Sequence, residues 1–181
     1  MQATAAETTT RRPADDEHAP YYGKYIGLVS DGEIIRTLEA QLVETLALLS
    51  GVTEQGATFR YAPDKWSVKQ ALGHMIDTER VFSYRAMAAA RCEKAPLPGF
   101  DQDEWVESGN FDLRSLASLR AELEAVRHST ILLFRGFAAD AWDRRAVASG
   151  NPVSVRALAW IIAGHELHHR QILRERYLLT A

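Results

Sequence analysis

Residues 151–173 read NPVSVRALAWIIAGHELHHRQIL, and this stretch decides the fold. Asn151 and Pro152 end whatever precedes them, and Ser154 is placed as the N-cap of a helix. Val153 and Leu158 have the spacing of a hydrophobic staple around that cap. Leu158, Ile161, Ile162 and Ile172 then recur on one face at helical spacing, which predicts a helix continuing to about Leu178. On that wheel His165 falls at the centre of the apolar arc and His169 one turn further along the same stripe. His168 lies on the shoulder of the arc, next to Ile161. A polar ring at the centre of an apolar face must find a partner inside the protein.

Three further segments carry the same period. In VSDGEII, Ser30 and Glu33 have capping-box spacing and Val29 and Ile34 that of a staple; Leu38, Leu42, Thr45 and Leu49 follow until Gly51. In APDKWSVKQ, Ser67 and Gln70 repeat the box and Trp66 and Ala71 the staple, with the helix running to about Arg91. A third helix is expected over about Leu113 to Phe137, lined by Leu116, Leu119, Leu123, Val126, Leu133 and Phe137. No segment alternates as a strand does, and no dipeptide is read as a hairpin turn. The expectation is an all-α four-helix bundle with a long connection, residues 93–112, between its second and third helices. Residues 1–20 are read as a disordered tail and 21–181 as the bundle domain.

The chain of 181 residues fits one domain, and 46% hydrophobic residues are enough for a core. Its net charge of −3, with signs intermixed, lacks the basic footprint of a nucleic-acid binder. No apolar run approaches the ~20 residues of a membrane span, and no apolar run follows the Arg pair near the start, so a cytoplasmic protein is expected. The single cysteine, Cys92, excludes an internal disulfide and a cysteine-based zinc cluster.

Imidazoles at i and i+4 have Cβ atoms about 5–6 Å apart, which suits shared coordination of one ion. His74, flanking the apolar arc of Ala71, Met75, Thr78 and Phe82, is the candidate third ligand. Helices packed about 8–10 Å apart bring it within reach. Three neutral imidazoles would leave a coordination position open, as catalytic sites do. A core in which the histidines only hydrogen-bond one another is the competing reading. His128 falls opposite the leucine face and His18 in the tail, so neither is a candidate. HELHH also matches HExxH, with Glu166 as a metalloprotease base. Only twelve residues follow His169 and none is histidine, which counts against that class.

Taken together, WSVKQALGHMIDTERVFSYRAMAAAR (66–91), LPGFDQDEW (97–105) and AWIIAGHELHHRQILRERY (159–177) resemble the DinB-like superfamily of metal-binding four-helix bundles. The likeness runs in order from about Tyr21 to the C-terminus. The resemblance implies a metal held by one histidine of the second helix and two of an HxxxH on the fourth, roles that fall on His74, His165 and His169. It further implies one divalent metal and frequent homodimers; three imidazoles suit zinc, nickel, iron or copper, and zinc or nickel is expected ahead of iron. Characterised members include S-transferases that use bacillithiol or mycothiol, a thiol-dependent isomerase, and part of the enzymes of thiol-histidine biosynthesis.

The expected function is a metal-dependent enzyme on a small molecule, a small-thiol S-transferase or a hydrolase. The alternative is a non-catalytic, stress-related bundle that binds metal or ligand. Glu166 as a base, His168 as a hydrogen-bonding group and Arg85 as an anion partner are further candidates. Asp101, Asp103 and Trp105 of the long connection either close over the site or plug one end of the bundle.

Overall fold

The computed structural model describes residues 9–178. A short helix α1 (Gly23–Ile26) precedes α2 (Ile34–Ser50), α3 (Val68–Ala90), the short α4 (Gln102–Ser108), α5 (Leu116–Arg135) and α6 (Val155–Ile172). The long helices α2, α3, α5 and α6 form the expected four-helix bundle. Both α2 and α3 pack against α5 and α6, so consecutive α2 and α3 lie across a diagonal, as do α5 and α6. Short turns join only neighbours in a bundle. The α2–α3 and α5–α6 connections must instead cross an end, which accounts for the long segments 51–67 and 136–154.

Three helix starts follow their caps. Ser67 accepts from the Gln70 N–H at 3.0 Å while Gln70 answers to the Ser67 N–H, and Ser115 and Ser154 each cap their helix. Helix α2 departs from expectation. Its cap is Glu33, which accepts from the N–H groups of Ile35 and Arg36, rather than Ser30. Helix α5 starts at Leu116, after a short turn that leaves Leu113 exposed, and ends at Arg135, before Phe137.

Two expectations are corrected. The 136–154 connection holds an antiparallel hairpin, β1 (Arg145–Ala148) with β2 (Asn151–Ser154), register Arg145 to Ser154 and Ala148 to Asn151. Ser149 and Gly150 both have positive φ, 50° and 77°, the turn that suits a two-residue hairpin. Strands of four residues, one half alanine and the other carrying a proline, hold too little alternation to announce themselves. Nor is the described part of the tail disordered. Glu17 and His18 are buried, and Glu17 receives Ser154 Oγ at 2.6 Å and Arg156 Nη1 at 3.1 Å. Arg12 donates to the carbonyls of Ile26 and Val29 and lies 4.6 Å above the Trp160 ring. Composition cannot register such partners, because they lie far along the chain. Residues 1–8 lie outside the described residues.

Two apolar clusters fill the bundle. One gathers Ile34, Leu38, Phe82, Phe134, Trp142 and Trp160, the other Leu49, Leu72, Ile76, Leu119, Leu123 and Leu173. Between them each long helix contributes buried polar groups. Arg127 is bonded to both oxygens of Glu79 at 2.8 Å, paired with Glu166, and donates to the Leu38 carbonyl. Thr45 donates to Glu166, and Gln41 donates to the Ala163 carbonyl. Among the described residues no helix is long and apolar enough to cross a membrane.

Candidate metal centre

Helices α3 and α6 bring His74, His165 and His169 together. His165 Nε2 lies 3.1 Å from His74 Nε2 and 3.1 Å from His169 Nε2, and all three rings are buried. The ligand atoms of the three lie within 4.8 Å of one another. A ring nitrogen presents either one proton or one lone pair in the ring plane. His165 Nε2 can therefore complete a hydrogen bond with only one of its two neighbours, and the other contact stays unsatisfied. One cation satisfies three lone pairs at once. Nitrogens bound at about 2.0–2.1 Å in a tetrahedral arrangement lie roughly 3.3 Å apart, close to the two 3.1 Å separations made by His165 Nε2. The cluster fits a divalent metal.

The surroundings keep the rings neutral. Burial pushes His74 down to about 4, with the neighbouring His168 adding to it. Burial also holds His165 and His169 well below the usual imidazole range, aided by the adjacent histidines. Neutral imidazoles are the form that binds metal. Thr78 Oγ1 stands 3.4 Å from His74 Nδ1, where it can accept that proton and turn Nε2 toward the other rings. The Tyr25 ring packs edge-on against His165 and His168, 5.4 Å away in each case.

Glycines immediately before two of the histidines permit these approaches. At Gly164 a Cβ would stand 2.1 Å from the Tyr25 carbonyl oxygen, so α1 lies directly on α6 beside His165. At Gly73 a Cβ would stand 2.4 Å from the Phe111 ring, beside His74. Neither glycine was singled out from the sequence, although the repeated Gly-His pair was its visible trace.

A cavity of about 380 Å³ opens over the cluster, lined by His74 and His165, by Tyr21, Tyr22 and Tyr25, and by Thr78, Phe82 and Arg85. Phe100, Asp101, Gln102 and Asp103 form the facing wall, so the 99–105 stretch borders the site. Asp101 caps α4 by accepting from the N–H groups of Asp103 and Glu104. Trp105 stands apart, stacked on Phe100 at 4.6 Å and facing a neighbouring groove. The tyrosines were missed because they precede the first long helix, where no period marks them.

The remaining candidates divide. Arg85 lines the cavity. His168 is half-buried beside Tyr25, outside the three-nitrogen cluster. Glu166 is buried and turned into the bundle against Arg127 and Thr45, which withdraws it from the role of base. His128 is exposed as expected.

The DinB superfamily model matches residues 37–173, well over half of the chain. The chain belongs to the DinB superfamily. It is 24% identical over 136 residues to a protein of Oceanobacillus iheyensis named "putative metal-dependent hydrolase", covering 75% of this chain and 76% of that one. Its fold matches YfiT from Bacillus subtilis with a TM-score of 0.66 at 16% identity, over 91% of this chain and 92% of the other. YfiT is described as "a probable metal-dependent hydrolase with an unusual four-helix bundle topology".

A pH dependence follows for the metal-free protein. Unfolded histidines titrate near 6.5, whereas folded His74 titrates near 4. Between those values the unfolded chain binds more protons, so stability is full above about pH 6.5 and falls as pH drops toward 4. His74 alone is expected to remove on the order of 2 kcal/mol by about pH 5. Urea midpoints near pH 7 and pH 5 check this: the loss should shrink in His74→Ala, and equal losses in both proteins would contradict it.

Proposed function

We propose that this protein is a divalent-metal-dependent hydrolase of a small molecule, with His74, His165 and His169 holding the ion. The carrying observation is the convergence of three neutral imidazoles beneath an open cavity of small-molecule size. The names given to the Oceanobacillus and Bacillus proteins agree with this reading. Three imidazoles suit zinc, nickel, iron and copper; we take zinc or nickel as the ion, with iron next. When bound, such an ion is a Lewis acid that brings a nucleophile, water or a small thiol, to its anionic form near neutral pH.

This chain's own residues do the rest. The three histidines would hold the ion, with His74 and His165 lining the cavity, and Thr78 Oγ1 is placed to accept from His74 Nδ1 and so turn its Nε2 toward the other rings. Burial raises Tyr25 above the ordinary phenol range, and the Tyr21 hydroxyl at 3.3 Å adds to it. Tyr25 therefore stays protonated and able to donate to a substrate oxygen. With Glu166 held by Arg127, Asp103 is the lining carboxylate available to take a proton.

A small-thiol S-transferase is the second reading. None of the hydrogen bonds or ion pairs of the described residues sets a carboxylate on the three histidines. A thiol, with a pKa near 8.5 against 15.7 for water, needs a base less. Metal-loaded protein should be assayed on small esters and amides, and on electrophiles with and without added thiols, beside chelator-treated protein and His74→Ala. The hydrolase reading expects turnover of an ester or amide that needs metal but no thiol. Turnover only with thiol would replace it by the transferase. Turnover in neither panel would leave a binding protein.

A further inference from the structure

The cations buried among the described residues are Lys69, Arg85, Arg127, Arg156 and Arg170. All but one have a carboxylate: Lys69 pairs with Glu54, Arg127 with Glu79 and Glu166, Arg156 with Glu17 and Asp143, and Arg170 with Glu44. Arg85, only 3% exposed, has none. Its Nη2 donates to the Pro98 carbonyl at 2.7 Å and to Ser149 Oγ at 3.1 Å, both neutral acceptors. The guanidinium carries five N–H donors, and Nε and Nη1 make no hydrogen bond here. A charge withdrawn from water without a counter-ion is costly, and this protein supplies a counter-ion at every other such position.

The position of Arg85 says where the counter-ion comes from. The residue stands between the cavity it shares with His74 and His165 and the neighbouring groove that Trp105 faces, and its guanidinium lies 5.7 Å from the Phe82 ring, back along α3 toward the histidines. The carboxylates on the cavity wall, Asp101 and Asp103, are exposed, and neither pairs with Arg85. We propose that Arg85 is the anion-binding residue of this cavity, and that the substrate is a small carboxylate whose charged end pairs with Arg85 while its other end reaches the histidines. This rests on the metal-dependent reading for the reacting end only.

A carboxylate fits better than a phosphate monoester. A dianion would meet added repulsion from the exposed Asp101 and Asp103 on the facing wall, whereas a monoanion meets less. The Arg85 guanidinium lies 5.7 Å from the Phe82 ring and that ring 6.3 Å from the His165 ring, so the two ends of the substrate are at most about 12 Å apart. Phe82 and Phe100 give its middle an apolar lining.

Calorimetric titration of metal-free protein with phenylbutyrate and with its neutral amide tests this without any turnover. The acid should bind roughly 10- to 100-fold tighter than the amide, the worth of a charge-assisted pair. Arg85→Gln should bring the two to equal affinity, while Arg85→Lys keeps part of the preference. Ser149→Ala, which loses a bond to Arg85 but no charge, should keep it nearly whole. If Arg85→Gln does not fold, the acid-to-amide ratio of the wild type and of Arg85→Lys still decides. Equal binding of the two by the wild type, binding of neither, or a preference that survives Arg85→Gln overturns the proposal. Because metal is absent, failure here leaves the hydrolase reading untouched, and failure of every hydrolysis assay leaves the anion site untouched.

Discussion

Arg127→Ala is expected to lose about 3–5 kcal/mol of folding stability, a large part of what a domain of this size possesses. The reason is geometric. Arg127 is 1% exposed and holds two carboxylates that are themselves buried, Glu79 through two bonds of 2.8 Å and Glu166 through an ion pair. Burial alone would weaken its charge, yet the two carboxylates outweigh that and hold its guanidinium above the usual range. Removing the arginine strands two negative charges between the apolar clusters. Replacing all three groups by apolar residues, Arg127→Met with Glu79→Leu and Glu166→Leu, removes charge and counter-charge together and should restore most of the loss. Chemical denaturation of both variants checks the pair of expectations. The triple variant also removes Glu166, the base a metalloprotease would use, so metal-dependent turnover that survives in it would show that HELHH is not a metalloprotease motif here.

Gly164→Ala is expected to destabilise the protein by about 2 kcal/mol and to weaken metal binding. Helix propensity taken alone predicts the opposite, since alanine gains ~1 kcal/mol over glycine in a helix interior. The new Cβ, however, would stand 2.1 Å from the Tyr25 carbonyl oxygen and 2.4 Å from its carbonyl carbon. These are backbone atoms that cannot rotate aside, so α1 must lift. Lifting it withdraws the Tyr25 ring from His165 and opens the cluster to water. A lower urea midpoint at unchanged slope, together with weaker metal affinity, is the expected result. An unchanged or raised midpoint would mean that α1 does not lie against α6 in solution.

The four long helices and the histidine convergence were legible because both depend on local period. Caps and apolar spacing mark the starts of α3 and α6, apolar spacing alone marks α5 to within a few residues, and the wheel alone sets His165 and His169 on the buried face of α6. What escaped depends on contacts between distant residues. The Arg127 group unites residues from four helices, so Glu166 read as a base when it is a buried acid held by Arg127 and Thr45. The ordered segment around Glu17 exists because Arg156 and Ser154 await it, more than a hundred residues on. The β1–β2 hairpin rests on two residues of positive φ, Ser149 and Gly150, between strands too short to show a period. The cavity was partly foreseen through Arg85 and the 99–105 stretch, but its tyrosines became visible only once α1 was seated on Gly164.

On the proposed function, His74, His165 and His169 together hold one divalent ion. The most direct test is metal content per chain by elemental analysis, on protein purified without a polyhistidine tag, alongside His74→Ala and His169→Ala. The predicted result is about one ion per wild-type chain and little in either variant, with both variants still helical by circular dichroism. Wild-type protein that takes up no ion after incubation with zinc, nickel or iron, or variants that retain it, would contradict the claim.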